Sequence, residues 1–133
     1  MKYAAIQLSK AYGDALNNVL PVYNGGMTSS IAEDNYIIIG EIVAVPIPQD
    51  SNFYTEYIVN LEVCSKSQSF GKAVNNGYVN QLTAIINADT VLSMADFTMD
   101  NQVIEDIQTL PLLGESDNQY RTIVRVRAYL TEK

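Results

Sequence analysis

The chain has 133 residues, room for one domain that buries roughly two-thirds of the surface its unfolded form exposes. An apolar fraction of 47% and a charged fraction of 17% are those of a globular protein and exclude an intrinsically disordered one. With 15 acidic against 8 basic residues and a formal charge of −7, the molecule's field repels phosphate, which disfavours sequence-independent nucleic-acid binding.

The acidic charge is uneven. From Ala73 to Tyr120 there is no Lys or Arg, only Asp89, Asp96, Asp100, Glu105, Asp106, Glu115 and Asp117. Cys64 stands alone, so an intramolecular disulfide, a thiol redox pair and a cysteine-rich zinc cage are all excluded, and a reducing compartment fits best. Gln7, Ser9 and Asp14 interrupt any apolar run between Met1 and Leu20, so neither a signal peptide nor a membrane span is expected there.

Leu8, Ala11, Tyr12, Ala15, Leu16 and Val19 recur at three- and four-residue steps and predict a helix over Tyr3 to Val19, ended by Pro21. Asn24 to Asn35 reads as a polar loop, with a short edge strand around Val22 and Tyr23. Tyr36 to Val45 is apolar on both faces, as in a central strand. Strict alternation puts Ile37, Ile39, Val43 and Val45 on one face and Tyr36, Ile38, Ile42 and Ala44 on the other.

Pro46 and Pro48 stop that strand, and an exposed connection leads to a second, antiparallel one. There Tyr57, Val59, Leu61 and Val63 form a buried face, while Glu56, Ile58, Asn60, Glu62 and Cys64 form a mostly solvated one. Ser67 or Ser69 can cap a helix over Ser69 to Asn87. Its apolar side is Phe70, Ala73, Val74, Tyr78, Leu82, Ile85 and Ile86, with Lys72, Asn75, Asn76 and Asn80 opposite. A short strand at Phe97 to Met99, a turn at Asp100-Asn101, and a hairpin of Val103 to Leu110 with Gln119 to Leu130 complete the chain. No internal repeat or low-complexity tract is present.

Chemistry is sparsely represented. There is no His, the usual group for proton transfer near neutral pH, and no glycine-rich phosphate loop. Glu105 and Asp106 are adjacent, and neighbouring strand residues point to opposite faces unless a bulge intervenes. Asp96, Asp100 and Asp106 lack the spacing of a calcium loop, and Cys64 has no His to activate it. Arg121, Arg125 and Arg127 form a basic stripe on one face of the last strand. Two readings stand side by side: pairing with acids on the adjacent strand, Glu105 among them, or contact with an acidic patch on another copy.

The order of these segments is recognisable. The leading helix, "VYNGG" at Val22 to Gly26, "NYIIIGE" at Asn35 to Glu41, "YIVNLEVCSKS" at Tyr57 to Ser67, "FGKAVNNGYVNQLTAIIN" at Phe70 to Asn87 and "YRTIVRVRAYL" at Tyr120 to Leu130 together resemble the tail-completion, or tail-terminator, proteins of tailed bacteriophages. The resemblance covers nearly the whole chain and lies in order, length and pattern. It implies one α+β domain over residues 1–133, a mostly antiparallel sheet with an N-terminal and a central helix packed on one face. It further implies a non-enzymatic virion protein in the tail or neck, assembled in the host cytoplasm, without cofactor or metal.

In that family a hexameric ring closes the head-proximal end of the tail, so the implied partners are copies of the chain itself, the tail tube protein and a head-side connector or stopper. DNA would pass through without specific binding. The expected subunit or tube contacts are Pro46, Pro48, Asp50, Phe53, Leu113, Glu115, Asp117, Arg121, Arg125 and Arg127. An acidic channel wall would use Asp100, Glu105 and Asp106. The alternatives are a neighbouring neck or stopper protein, a small-ligand-binding accessory domain, which needs a concave pocket, and a hydrolase, which needs two acids converging in a cleft.

Overall fold

A computed structural model describes residues 3–25, 34–45, 54–66, 71–88, 92–111 and 120–133. The elements are α1 (Ala5–Leu16), β1 (Val22–Asn24), β2 (Asn35–Val45), β3 (Tyr54–Ser65), α2 (Gly71–Asn87), β4 (Phe97–Pro111) and β5 (Tyr120–Glu132). The strands form one sheet in the order β1-β2-β3-β5-β4, antiparallel throughout except for β1, which runs parallel to β2. Both helices pack on one face of it, giving the expected α+β class.

Leu8, Ala11, Tyr12 and Leu16 of α1 are buried, as the stripe predicts. The hydroxyl of Tyr57, on the central strand β3, accepts a hydrogen bond from the Ala4 amide at 3.0 Å, satisfying one of the donors that a helix start leaves open. The helix stops a turn earlier than expected, because the Leu16 carbonyl receives the Val19 and Leu20 amides in a tightened turn. Pro21 does not end it. Its carbonyl instead accepts from the Ile37 amide at 2.9 Å and starts the β1–β2 pairing.

β2 departs from strict alternation. Ile39 pairs with Leu61 and Ile42 with Val59, so Gly40 and Glu41 together face Asn60. This β-bulge exchanges the two faces: Ile42 and Ala44 join Ile37 and Ile39 in the main core, and Val43 turns outward. Gly40 fits because the backbones approach closely here; a Cβ would lie 3.3 Å from both the Asn60 carbonyl and Glu62 Oε2.

α2 is rotated from its expected setting. The buried line is Asn75, Val79, Leu82 and Ile86, while Ala73 is exposed. Asn75, assigned by pattern to the polar side, is completely buried, because it bonds to strand groups beneath the helix. The proposed Ser67 and Ser69 caps and Phe70 lie outside the described residues. Past α2, no turn separates Phe97–Met99 from Val103. β4 is continuous, and its irregularity at Asp100 is a bulge.

Candidate functional site

The face of the sheet opposite the helices carries no helix among the described residues, and it gathers the charged groups singled out in the sequence. On β5, Thr122, Val124, Val126, Ala128 and Leu130 point into the core, which turns Arg121, Arg125 and Arg127 outward. On β3, Tyr57, Val59, Leu61 and Val63 do the same and leave Glu56 and Glu62 outward beside them.

β4 supplies the third row through two bulges. Met99 and Asn101 oppose the consecutive residues Leu130 and Tyr129, and Ile104 and Asp106 oppose Val126 and Arg125, so Asp100 and Glu105 are each an extra residue. Alternation alone would separate Glu105 from Asp106. The second bulge instead leaves Glu105 bonded to outward arginines while Asp106 stands in register with Arg125. Asp100 accepts a hydrogen bond from the Thr131 hydroxyl on the same side.

The result is an ion-pair ladder across three strands. Glu56 Oε2 lies 2.7 Å from Arg127 Nη1, and Arg127 Nε donates to Glu105 Oε1. Glu105 Oε2 lies 3.5 Å from Arg125 Nε, and Glu62 Oε1 is 3.3 Å from Arg121 Nη1. The hydrogen bonds that Arg127 donates to Glu105 and then to Glu56 hold its guanidinium above its ordinary pKa. Of the two readings of the arginine stripe, intramolecular pairing is thus present, with Glu105 as expected. The further partners are Glu56 and Glu62, whose signal in the sequence is that they are acids on the solvated face of β3.

The other end of this face is apolar. Tyr36, Ile38 and Cys64 are buried together with Tyr23 packed against them. The Tyr23 and Tyr36 rings meet edge to face at 6.2 Å, and the Lys66 ammonium sits 5.2 Å from the Tyr36 ring centre. Burial, aided by the Glu62 charge, pushes the Cys64 thiol up to about 11, so it is a packed neutral thiol at neutral pH.

On the helix side, an open groove of about 830 Å³ runs between α1 and the β1–β2 edge, lined by Ile6, Lys10, Asp14, Gly40, Glu41 and Ile42 among others. Ser9 Oγ and Asn24 Oδ1, which also line it, are hydrogen-bonded at 2.7 Å. Among the described residues no cluster of three or more His, Cys, Asp or Glu could hold a metal ion, and no helix is long and apolar enough to cross a membrane. Pro46, Pro48, Asp50, Phe53, Leu113, Glu115 and Asp117 lie outside the described residues.

No family model and no curated protein matches the chain. Solved structures do. The fold is similar to that of a chain from the virion of a native gene transfer agent particle, with a TM-score of 0.77 over 100% of both chains at 13% identity. It is also similar to that of the bacteriophage SPP1 gp17 protein, with a TM-score of 0.53 over 96% of this chain and 91% of that one, at 16% identity. At these identities the likeness establishes a shared fold.

Proposed function

We propose that this chain is a structural virion protein that assembles with copies of itself into a ring at the head-proximal end of a phage tail, completing the tail and joining it to the head. The observation that carries this reading is the end-to-end match of the fold to a chain of a virion particle, over the full length of both. The likeness to a bacteriophage protein over more than nine-tenths of each chain supports it, as does the segment order of the sequence. The chain would act by docking, without a chemical step, with the tail tube protein on one side and a connector or stopper on the other.

In this reading the Pro46 to Phe53 and Leu112 to Asn118 connections and the Arg121, Arg125 and Arg127 face meet neighbours. Asp100, Glu105 and Asp106 face a channel whose like charge keeps passing DNA from adhering. Sizing with light scattering should give six times the 14.7 kDa protomer, alone or on tail tubes. A protomer that stays single under both conditions rules the ring out. Replacing Asp100, Glu105 and Asp106 with Lys should slow genome ejection from reconstituted particles, and unchanged ejection would remove those residues from the channel wall.

The groove beside α1 favours one second reading, a small-ligand-binding accessory domain. A metabolite that shifts the amide signals of Lys10, Asp14 and Ile42 at micromolar concentration would select it over the ring.

A further inference from the structure

The sheet is regular at its centre and irregular at both sides. β3 and β5 pair over twelve consecutive residues without a shift, from Tyr54 with Thr131 to Ser65 with Tyr120. Among the described residues there are three bulges, and each falls on a strand at a point where no described strand lies outside it. β4 is an edge throughout and carries two. Among the described residues β2 has no outer neighbour beyond Ile39, where its pairing with β1 stops, and its bulge at Gly40-Glu41 sits at that point.

β4 is also the element most hazardous to leave open. It is 15 residues long, no strand flanks it on its outer side among the described residues, and it exposes Val103 by 44% and Ile107 by 48% on opposite faces. A long open edge with exposed apolar side chains offers backbone donors and acceptors to any passing strand, including β4 of another copy. The two extra residues are both acids, Asp100 and Glu105, and Asp106 follows the second. Bulges break the flat register that an incoming strand needs; Glu105 is held by Arg125 and Arg127, and the repelling charges on two β4 strands are those of Asp100 and Asp106.

We infer that the paired bulges at Asp100 and Glu105 are an edge guard, which prevents main-chain addition of a second copy at β4 and confines association to side-chain contacts elsewhere. The inference does not depend on the ring reading, since it concerns which edge cannot be extended, whatever the number of copies.

The two bulges can be removed without disturbing the core. Deleting Asp100 makes Met99 and Asn101 consecutive opposite Leu130 and Tyr129, and deleting Glu105 does the same for Ile104 and Asp106 opposite Val126 and Arg125. Every remaining β4 side chain keeps its face, and Arg127 keeps Glu56. The double deletion, checked for a native far-ultraviolet spectrum, should form assemblies at least several-fold heavier than the parent at matched concentration, growing with concentration and binding thioflavin. A folded deletion variant with the mass of the parent overturns the guard.

Should the variant not fold, hydrogen exchange on the unaltered chain decides. The amides from Val103 to Leu110 should exchange at the same rates in dilute and concentrated protein, and in assembled particles. A tenfold slowing on association would mean that β4 is extended by another strand, and the guard would be wrong. A monomer on the sizing column would count against the ring while leaving both of these measurements free to support the guard.

Discussion

Asn75 Nδ2 donates to the Val63 carbonyl at 2.9 Å, reaching from the first turns of α2 into the end of β3 from a position with no solvent exposure. The same nitrogen reaches Ser65 Oγ at 3.1 Å and the Tyr120 carbonyl at 3.5 Å, and Asn75 Oδ1 accepts from the Thr122 hydroxyl. Because Thr122 has a single hydroxyl proton, the 2.9 Å contact between Thr109 and Thr122 must use the proton of Thr109. One amide thereby ties α2 to β3 and β5, and through Thr109 to β4.

Asn75→Ala should therefore lower stability by about 3 kcal/mol, since it strands buried polar groups and opens a cavity together. Asn75→Asp should be at least as damaging at neutral pH, because a carboxylate replaces the donor that faces two carbonyls. Urea unfolding of the three proteins checks this, and near-parental midpoints would refute it.

Gly40→Ala tests the bulge of β2. The added Cβ meets the Asn60 carbonyl, which belongs to a paired backbone and cannot swing away, so we expect a loss of about 1–2 kcal/mol. Gly77→Ala, with nothing within 4 Å, should instead stabilise α2 by up to about 1 kcal/mol. Thermal melts of the pair should move in opposite directions.

The ion-pair ladder predicts an ordering. Arg127, with two carboxylate partners and a side chain 24% exposed, should matter more than Arg125, with Glu105 alone and 48% exposed. Arg127→Met should therefore destabilise more than Arg125→Met in dilute buffer, and the gap should narrow in 1 M salt as the charges are screened. Equal effects at both salt concentrations would show that the ladder contributes little.

Alkaline pH should expose the buried thiol. Cys64 ionises near 9 when unfolded and at about 11 when folded, so between those values the unfolded chain has lost a proton that the folded chain keeps. Stability then falls as pH rises, by up to about 1.4 kcal/mol per pH unit from this group. Tyr12, also raised by burial, adds a loss above its ordinary range. Cys64→Ala isolates the first contribution: its stability should decline less steeply than the parent's between pH 9 and 11.

Much of the fold was legible residue by residue. The Leu8 to Leu16 stripe, the alternation of Tyr57 to Val63 and that of Thr122 to Leu130 are regular, and each became the element it predicted. Legibility failed where a strand skipped a beat. Gly40-Glu41, Asp100 and Glu105 change which face follows, and what decides that is the partner strand opposite them. The candidate charges show the same division. That Arg121, Arg125 and Arg127 share a face follows from period two, whereas the gathering of Glu105 and Asp106 beside them needed a bulge.

Composition and local period by themselves pointed to the α+β class: two amphipathic helices, long apolar strands, and no histidine or cysteine pair with which to build the usual reactive sites. Those properties are local, because side-chain direction along a regular helix or strand repeats with a known step. Only the tertiary structure decided the parallel seat of β1, the inward turn of Asn75 and the two irregular edges. Each of these is a choice between local conformations of similar energy, and contacts from residues distant in the chain tip the balance.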